Sequence, residues 1–389
     1  MVKRLVVIGS TGALGTKTLE VVREFPDKFT IIGLGARQNV KRLAEQVKEF
    51  HPKYALLTEN NMSSSLDKAI NDSKSKYFYG IEGLREIASV EDVDLIVLVM
   101  GGTLGIYPLW EAINHNKDVA IANKESIVVM GEVIRKRAKE KNVRLIPIDS
   151  EPSAVFQCFN ALHKEEELES VVLTASGGPF RSFDKEELKR VTPEEALHHP
   201  VWKMGKKITV DSATLMNKGF EWIEIHKFFD IPYEKIKVVV HPQGIIHGMI
   251  NLRDGSSIAL MSIPDMKIPI LYALSYPERI ETKWTRLNLF SLKQITFEPP
   301  DVEKFPALKI AIESGKKGLT YPAVLNASDE VAVELFLRGE IRFTDIPNLV
   351  EEVLSNHNPV VTDSIETVMA IDKWAREETL RLKDKVKMK

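Results

Sequence analysis

The sequence predicts an α/β protein with a doubly wound, Rossmann-like parallel sheet at its N-terminus, then an α+β domain and a C-terminal helical bundle. Three observations carry this prediction. A glycine turn joins the first strand to the first helix, strands alternate with helices up to residue 150, and four helical segments follow residue 302. Strands that alternate with helices are typical of a parallel sheet, in which ligands bind at the carboxyl ends of the strands.

Changes in this pattern place the domain boundaries. With 389 residues the chain is too long for one ordinary core, so we expect more than one domain. The predicted segments are a Rossmann-like domain at 1–150, an α+β domain at 151–285, an irregular connector at 286–301 and a helical bundle at 302–389.

The composition limits the class of protein. A hydrophobic content of 44% and a charged content of 28% are typical of a globular protein. The net charge of −2 argues against a nucleic-acid partner, and the single cysteine, Cys158, excludes an internal disulfide and a cysteine-based zinc site. Because no segment approaches the roughly 20 apolar residues of a membrane span, we expect a cytoplasmic protein without a membrane partner.

The first βα turn is rich in glycine. Residues 3–8 predict a buried strand, the turn GSTGALG follows at 9–15, and a helical pattern continues to about Glu24. The spacing G-x-x-G-x-x-G is less specific than G-x-G-x-x-G, but strand, turn and helix follow one another without insertion. The glycines would let the backbone approach a pyrophosphate at the helix N-terminus, with a plain tight turn as the alternative.

The end of the second strand indicates which nucleotide binds. A strand predicted at 29–35 leads into Ala36-Arg37-Gln38-Asn39, and no acidic residue occurs between Phe29 and Val40. An acidic residue here would hold the ribose of NAD, whereas an arginine suits the 2′-phosphate of NADP. We therefore predict NADP, the alternative being that Arg37 is an ordinary exposed charge.

Two polar clusters follow predicted strand ends, at 123–126 and 149–151. Asp149 and Glu151 are two residues apart, so in an extended backbone both carboxylates would point to the same side. Oxygen ligands select a hard ion such as Mg²⁺ or Mn²⁺. The pair could equally cap the helix ahead of Pro152, but with Glu221 it makes a plausible three-carboxylate site.

The stretch from His198 to Glu224 carries the densest polar pattern. Its basic, aromatic opening suits a mobile loop, and the run 208–210 favours a short strand. Asp211 and Ser212 are good N-cap residues for a helix that would begin near Ala213.

On that predicted helix Asn217, Lys218 and Glu221 share one face, and the other faces are apolar. Ser212, the helix N-terminus and Lys218 together would suit an anion, and Glu221 would suit a cation. A buried ion pair between Lys218 and Glu221 is the alternative.

The rest of the chain divides into an antiparallel part and a helical part. A strand at 171–175 leads into a second glycine turn, Ser176-Gly177-Gly178, and a hairpin is predicted from strands at 237–252 and 256–262. The four bundle helices are predicted at 302–317, 322–338, 344–356 and 364–383, the last with Asp363 and Glu366 as a capping-box-like start.

Taken together, these motifs resemble the 1-deoxy-D-xylulose 5-phosphate reductoisomerase family of the non-mevalonate isoprenoid pathway. The matching segments span most of the chain in order: GSTGALG at 9–15, ANKES at 122–126, PIDSEP at 147–152, TASGGPFR at 174–181, HPVWKMGKKITVDSATLMNKGFEWIEI at 199–225, HPQGIIHGMI at 241–250 and PDMKIPI at 264–270.

The resemblance implies a homodimeric enzyme that uses NADPH and a divalent metal, Mg²⁺, Mn²⁺ or Co²⁺, with domain 151–285 as its catalytic part. The implied metal ligands are Asp149, Glu151 and Glu221. The implied NADPH contacts are Ser10, Thr11, Gly12, Ala13, Leu14, Arg37, Gln38, Asn39, Asn123, Glu125 and Gly205. The implied substrate phosphate contacts are Ser176, Ser212, Asn217 and Lys218.

The implied substrate is a sugar phosphate, whose site is completed by Lys124, Ser150 and His199, and the segment 198–207 around Trp202 resembles the closing lid of the family. The implied reaction breaks and re-forms one carbon–carbon bond and then reduces the resulting aldehyde with NADPH to 2-C-methyl-D-erythritol 4-phosphate. Catalysis would fall to Lys124, Asp149, Glu151 and Glu221, with the proton-transfer group left open between Lys124 and Glu151. A simple NADP-dependent dehydrogenase and a non-catalytic NADPH-binding protein are the competing functions.

Overall fold

The computed structural model describes residues 2–59, 73–202 and 204–386, so Lys203 of the predicted lid lies outside the described residues. The chain forms two compact units. The first comprises 1–126, 133–153 and 265–283, and the second comprises 127–132, 154–264 and 284–389. This division differs from the predicted boundaries, because 265–283 groups with the first unit.

The elements follow one another as a βα pattern, an antiparallel part and a run of helices. The strands are β1 (Lys3–Ile8), β2 (Phe29–Ala36), β3 (Tyr54–Leu57), β4 (Lys76–Tyr79), β5 (Leu95–Leu98), β6 (Asp118–Ile121), β7 (Leu145–Pro147), β8 (Leu168–Ala175), β9 (Ile236–Val240), β10 (Ile246–Leu252) and β11 (Ser257–Met261). The helices are α1 (Ala13–Glu24), α2 (Val40–Phe50), α3 (Gly80–Ser89), α4 (Ile106–Asn114), α5 (Lys124–Lys141), α6 (Ser150–Phe159), α7 (Lys185–Leu188), α8 (Pro193–Ala196), α9 (Lys206–Thr214), α10 (Met216–Phe229), α11 (Lys267–Ser275), α12 (Ala307–Lys317), α13 (Tyr321–Leu337), α14 (Asp345–Ser355) and α15 (Ile365–Val386).

The first unit contains a seven-stranded sheet in the order β4-β3-β2-β1-β5-β6-β7. All of its pairings are parallel. The order reverses direction at β1, which is the switch point where ligands bind in sheets of this class. β5 is buried along its whole length, as expected for a strand covered on both faces. The predicted doubly wound sheet is confirmed, and β1 and α1 have the predicted bounds.

Helix α11 packs against α1 within the first unit, which explains why 265–283 groups there. The Lys3 ammonium at the start of β1 donates to the Leu274 carbonyl at 2.6 Å and ties the two segments together.

The second unit contains a four-stranded sheet in the order β11-β10-β8-β9. β10 pairs antiparallel with both β8 and β11, which confirms the predicted hairpin. The prediction of one strand over 237–252 is wrong, because the chain turns between β9 and β10. Pro242 cannot donate a ladder hydrogen bond, and Gly244 takes a φ of +60° that most side chains disfavour.

The four predicted C-terminal helices are present as α12 to α15, and they pack on one another around a shared core. α13 is the most deeply placed, with most of its residues buried, while α15 and α14 pack on it. Helix α15 begins at Ile365 and its cap lies one residue later than predicted, since Ser364, not Asp363, accepts from the Thr367 amide at 3.2 Å.

The stretch that begins at His198 folds differently from its predicted local pattern. Residues 208–210 lie inside α9, so the predicted strand is wrong, and Asp211 and Ser212 are not N-caps. The helices α9 and α10 are separated by Leu215, whose φ of 64° is left-handed. β-branched residues lower helix propensity only slightly, and here packing on α10 and α13 overrides that preference.

No helix among the described residues combines the length and the apolar character that crossing a membrane requires.

Candidate active site

The glycine turn after β1 leaves no room for side chains at two positions. Gly9 has a φ of +99°, and a Cβ there would lie 2.5 Å from the Met100 amide nitrogen. A Cβ on Gly15 would lie 2.1 Å from the Gly9 carbonyl oxygen. Within the described residues no side chain caps α1 at Gly12, so its first-turn amides can bind an anion.

Ser10, in contrast, faces into the protein. Its hydroxyl donates to Gln46 Oε1 at 2.7 Å, its carbonyl accepts from Gln46 Nε2 at 2.9 Å, and its amide donates to the Gly35 carbonyl at 2.8 Å. Ser10 is fully buried. These hydrogen bonds fix the position of Ser10 and so stabilise the conformation of the turn.

Arg37, Gln38 and Asn39 lie exposed just after β2, where an adenosine ribose would be expected. The Arg37 side chain is 76% exposed, and its Nε donates to Glu59 Oε1 at 2.9 Å. Asn39 caps α2, since its Oδ1 accepts from the Arg42 amide at 3.1 Å. Sequence reasoning found Arg37 but missed Glu59, which comes from the end of the neighbouring strand β3.

Asn123 organises the strand end next to β1. It is fully buried, and its Nδ2 donates to the Met100 and Gly102 carbonyls, both at 3.0 Å, and to Glu125 Oε2 at 3.0 Å. Its Oδ1 accepts from the Ser126 amide and so caps α5. The side chain therefore holds two loops and the half-buried Glu125 in place.

The carboxylate cluster, defined as Lys124, Asp149 and Glu151, lies at the ends of β6 and β7. The Lys124 ammonium is 2.5 Å from Asp149 Oδ2, and Asp149 and Glu151 place carboxylate oxygens within 4.8 Å of one another. Ser150 donates from its amide to Asp149 at 3.1 Å and from its hydroxyl to Glu151 at 2.5 Å.

The backbone between the two carboxylates is not extended, which corrects the prediction. Helix α6 begins at Ser150, and the Asp149 carbonyl accepts from the Ser153 amide at 2.8 Å. The carboxylates converge because the helix start turns Glu151 back towards Asp149. The paired carboxylates therefore lie at the start of a helix, and the Asp149 side chain accepts from the adjacent Ser150 amide.

The hydroxyl cluster, defined as Ser176, His199 and Ser212, joins the second glycine turn to α9. His199 Nε2 lies 3.0 Å from Ser176 Oγ and 3.1 Å from Ser212 Oγ. The turn comes very close to α9, since a Cβ on Gly178 would lie 2.8 Å from the Ser212 carbonyl oxygen. Gly177 and Gly178 both have positive φ, which glycine adopts without strain.

The hydrogen bonds of His199 determine its tautomer. Nδ1 accepts from the Val201 amide at 3.1 Å and from the Trp202 amide at 2.8 Å, so it carries no proton. The proton of the neutral ring is therefore on Nε2, which donates to the two serine oxygens. Each serine hydroxyl keeps its own hydrogen, and both hydrogens can be donated to an anion.

Asn217, Lys218 and Glu221 share one face of α10, as predicted. Asn217 Nδ2 donates to Glu221 Oε1 at 2.5 Å, and Lys218 forms an ion pair with the other carboxylate oxygen. Lys218 and Glu221 are both buried. The left-handed Leu215 ends α9 and starts α10, so Asn217 and Lys218 lie in the first turn of α10, where an anion is favoured.

The segment after His199 packs on β10. The Trp202 ring is half-buried with its centroid 6.0 Å from that of His247, whose Nε2 bonds the Ser262 hydroxyl at 2.9 Å. Gly205 is the N-cap residue of α9 and has no crowded neighbour where a Cβ would be.

Sequence reasoning missed one cluster in the second unit. The acid–lysine cluster, defined as Lys207, Asp211 and Asp329, joins α9 to α13 through contacts of 2.6 and 2.8 Å from the Lys207 ammonium. Asp211 had been predicted as a helix cap. Lys207 and Asp211 are four residues apart, a helical spacing that would have indicated their pairing only if α9 had been recognised as a helix.

Comparisons with known proteins identify the relatives of the chain. The family description "1-deoxy-D-xylulose 5-phosphate reductoisomerase" matches residues 5–131, its C-terminal domain matches 145–229, and "DXP reductoisomerase C-terminal domain" matches 261–378. The curated 1-deoxy-D-xylulose 5-phosphate reductoisomerase of Prosthecochloris aestuarii is 46% identical over 98% of this chain and 99% of its own length. That of Clostridium botulinum (strain Loch Maree / Type A3) is 46% identical over 96% and 98%.

Solved structures agree with these relatives. A 1-deoxy-D-xylulose 5-phosphate reductoisomerase from Zymomonas mobilis in complex with NADPH has a TM-score of 0.91 and 40% identity, and the match covers 98% of this chain and 99% of that one. A DOX-P reductoisomerase in complex with NADPH, fosmidomycin and magnesium has a TM-score of 0.96 and 34% identity, and the match covers 99% of both chains.

Proposed function

The chain belongs to the 1-deoxy-D-xylulose 5-phosphate reductoisomerase family and is an NADPH- and divalent-metal-dependent enzyme that converts 1-deoxy-D-xylulose 5-phosphate to 2-C-methyl-D-erythritol 4-phosphate, and we propose how its residues divide this reaction. The observation that carries the proposal is the carboxylate cluster at the strand ends, where two acids and one lysine converge.

Asp149 and Glu151, with Glu221, are the proposed metal ligands. Their donor atoms are carboxylate oxygens, which fit a hard divalent ion such as Mg²⁺, Mn²⁺ or Co²⁺. Asp149 and Glu151 are half-buried and converge within 4.8 Å, a spacing that is unfavourable for two anions unless a cation lies close to both. A bound divalent ion supplies Lewis-acid polarisation of the substrate oxygens.

Two lysines balance these carboxylates in the structure, Lys124 at Asp149 and Lys218 at Glu221. A divalent ion would replace the lysines as counter-charge and leave both ammonium groups free to contact the substrate. Lys124 would then orient a substrate hydroxyl or move its proton, Ser150 would orient Glu151, and Glu151 is the alternative proton-transfer group.

The hydroxyl cluster, with Asn217 and Lys218, is the proposed phosphate site. Two serine hydroxyls and an ammonium give hydrogen-bond donors and positive charge, and the first turn of α10 adds its amides. Binding of the non-reacting phosphate can hold the substrate while its carbon skeleton rearranges.

The segment at 198–207 is proposed to close over the substrate. His199 connects this segment to the phosphate site through its two backbone hydrogen bonds, so phosphate binding and the position of Trp202 are coupled. An indole ring over the substrate would keep water from the reacting atoms.

NADPH is proposed to bind along the carboxyl ends of β1, β2 and β6. The amides of residues 11–14 would receive its pyrophosphate, Arg37 with Gln38 and Asn39 would receive its 2′-phosphate, and Glu125 and Gly205 would contact it elsewhere. We assign Ser10 and Asn123 to shaping these contacts, because their side chains are bonded within the protein.

We further propose that the enzyme is a homodimer of the cytoplasm, where NADPH is supplied. Large apolar side chains lie exposed in the connector. Phe290 is fully exposed, and the others are Leu289, Ile295 and Phe297. Such exposed apolar side chains support an interface with a second chain.

The test of the proposal is loss of NADPH absorbance with 1-deoxy-D-xylulose 5-phosphate and Mn²⁺. EDTA is expected to abolish turnover and added Mn²⁺ to restore it, and NADPH should turn over much faster than NADH. A phosphonate that carries a hydroxamate should compete with the substrate, because it offers groups for both the phosphate and the metal site. Reduction that continues in EDTA would contradict the metal assignment.

A further inference from the structure

The acid–lysine cluster is a charged group inside the second unit. Lys207 is the last residue of the segment at 198–207 and Asp211 directly precedes Ser212, but none of the three side chains is assigned above to a cofactor, metal or substrate contact. The Lys207 ammonium lies 2.6 Å from Asp211 Oδ2 on its own helix α9 and 2.8 Å from Asp329 Oδ2 on α13. Asp211 is 2% exposed and Asp329 is fully buried. The same ammonium lies 4.6 Å from the centre of the Phe220 ring on α10, so one lysine contacts three helices.

The cluster has two carboxylates and one ammonium. If all three groups were ionised, one negative charge would remain inside the protein without compensation, which is strongly unfavourable. Burial, and then the neighbouring Asp329, raise the pKa of Asp211 well above its ordinary value, and Lys207 opposes this only in part. Asp211 therefore retains its proton over a pH range in which exposed aspartates have lost theirs.

Several other titratable groups on the packed helices pair with residues outside the cluster. On α13, Glu330 pairs with Arg376, and on α10, Lys218 pairs with Glu221. On α8, Glu195 is exposed and accepts from the Thr192 amide at 2.8 Å.

Further along α10, Glu224 is buried, and the Lys227 ammonium donates to the Val128 carbonyl at 2.8 Å. The charged groups that act on Asp211 are Asp329 and Lys207.

Helix α9 carries the phosphate-site residue Ser212 directly after Asp211. Ser212 Oγ is held by His199 at 3.1 Å, and its carbonyl is in close contact with Gly178. A small shift of α9 would therefore move a hydroxyl of the phosphate site and the histidine that organises the segment at 198–202.

We propose that Lys207 and Asp329 are positioning residues, which with Asp211 hold α9 against α13 so that Ser212 stays at the substrate phosphate. Because two buried carboxylates face one ammonium, this hold should weaken as the pH rises and the cluster gains negative charge. The inference rests on the proposed role of Ser212 in phosphate binding. It adds a pH-dependent control of substrate affinity by side chains that are not proposed to contact the substrate.

The central test is Asp329→Asn, which replaces one carboxylate by a neutral amide of nearly the same shape. Asp211 and Lys207 then form a balanced pair, and no retained proton is needed. KM for the sugar phosphate is measured for the variant and the parent over the pH range in which both are folded. The ratio of variant KM to parent KM is expected to fall by about threefold to tenfold as the pH rises, with kcat nearly unchanged. Titration of the substrate phosphate cancels in this ratio.

The pH dependence of stability gives a second test of the proton retained on Asp211. Since the pKa of Asp211 is raised by folding, its contribution to stability is present at low pH and is lost as the pH rises through that pKa. The Tm of Asp329→Asn minus the Tm of the parent at the same pH is therefore expected to increase as the pH rises. A merely structural role for Asp329 would instead lower Tm and raise KM by the same factor at every pH, and that result would overturn the proposal.

Lys207→Met tests the lysine, with Lys207→Arg as the conservative rescue. Lys207→Met leaves two buried carboxylates without a cation, so KM should rise on the order of tenfold while the Kd for NADPH is unchanged, and Lys207→Arg should restore KM. If Lys207→Met does not fold, the double variant Lys207→Met/Asp329→Asn restores the parent charge balance and is measured instead. An unchanged KM in the folded variant contradicts the proposal.

Ser212→Ala separates the two levels of inference. If it leaves KM unchanged, the proposed phosphate site fails. If it raises KM while the Asp329→Asn ratio stays flat with pH, the phosphate site stands and only the positioning proposal fails.

Discussion

The carboxylate cluster and the hydroxyl cluster are both small groups of polar side chains. The first lies at the ends of β6 and β7 and the second adjoins the glycine turn after β8, yet the two are built in opposite ways. The carboxylate cluster belongs to the first unit, and Asp149 and Glu151 are two residues apart at the end of β7. The hydroxyl cluster belongs to the second unit and joins three separate segments, after β8, before α9 and within α9. The two carboxylates of the first cluster are brought together by local chain geometry, whereas the two serines of the second are brought together by packing.

The two clusters also differ in what balances them. Asp149 is balanced by a lysine ammonium, which marks a place for positive charge. Ser176 and Ser212 are organised by a neutral histidine, which leaves their hydroxyl hydrogens for an anion. The difference teaches that the first cluster should control the chemical step and the second should control substrate affinity. The first two of the four predictions below test this division, and the other two test the nucleotide contact at Arg37.

Asp149→Asn should have the largest effect. It removes an anionic oxygen ligand, so we expect a loss of kcat on the order of a thousandfold, with little change in the Kd for NADPH. Steady-state NADPH oxidation at saturating Mn²⁺ measures it. The control is Asp94→Asn, which alters an exposed carboxylate paired with Arg4 at 2.8 Å at the start of β5. Activity within about tenfold of the parent would remove Asp149 from the chemical step.

Ser212→Ala should act on affinity instead. Losing one hydrogen bond to a charged phosphate should raise KM by about tenfold to about a hundredfold and leave kcat nearly unchanged. Ser256→Ala, in the exposed hairpin turn between β10 and β11, is the matched control and should behave as the parent. A fall in kcat with constant KM would break the proposed division between the two clusters.

Arg37→Glu should have a smaller and selective effect. Arg37 is exposed, so its contact with a 2′-phosphate is weakened by solvent, and we expect the Kd for NADPH to rise by about tenfold while that for NADH changes little. Fluorescence titration of both cofactors measures this difference. Lys41→Glu, an exposed cation of α2, controls for a general change in surface charge. Equal losses for both cofactors would show that Arg37 does not distinguish them.

Glu59→Gln should have the smallest effect. It removes the partner that holds the Arg37 guanidinium in the structure, at 2.9 Å. Because exposed ion pairs contribute little, the Kd for NADPH should fall by only about twofold to threefold, and the difference should vanish at high salt. Weaker NADPH binding would mean that Glu59 orients Arg37 for the cofactor and does not compete with it.

Local pattern predicted the elements of the first unit well. The turn at 9–15 and the strand ends before Asn123 and Asp149 were found in the sequence, because a buried strand, a breaker and a helix start are signals a few residues long. The shared face of Asn217, Lys218 and Glu221 was found for the same reason, since helical spacing brings them together.

Local pattern failed where packing decides. The run 208–210 is β-branched and is predicted as a strand from the sequence, but it lies in α9. Helix α9 ends at Leu215, where no glycine or proline indicates a helix end. The free energy that β-branched residues lose in a helix is smaller than the free energy gained by burying Val210 and Ala213 in the core.

By itself the sequence determined the family, the doubly wound sheet and the residue types of both clusters, because motifs and periodicity are properties of neighbouring residues. Only the tertiary structure decided that Glu59 meets Arg37, that Asp329 meets Asp211, and that His199 carries its proton on Nε2. The two contacts between charged side chains join residues far apart in the chain, and the proton of His199 is placed by the way the backbone turns between 199 and 202. Burial then determines how strongly these charges interact, and no local sequence pattern indicates the burial of a residue.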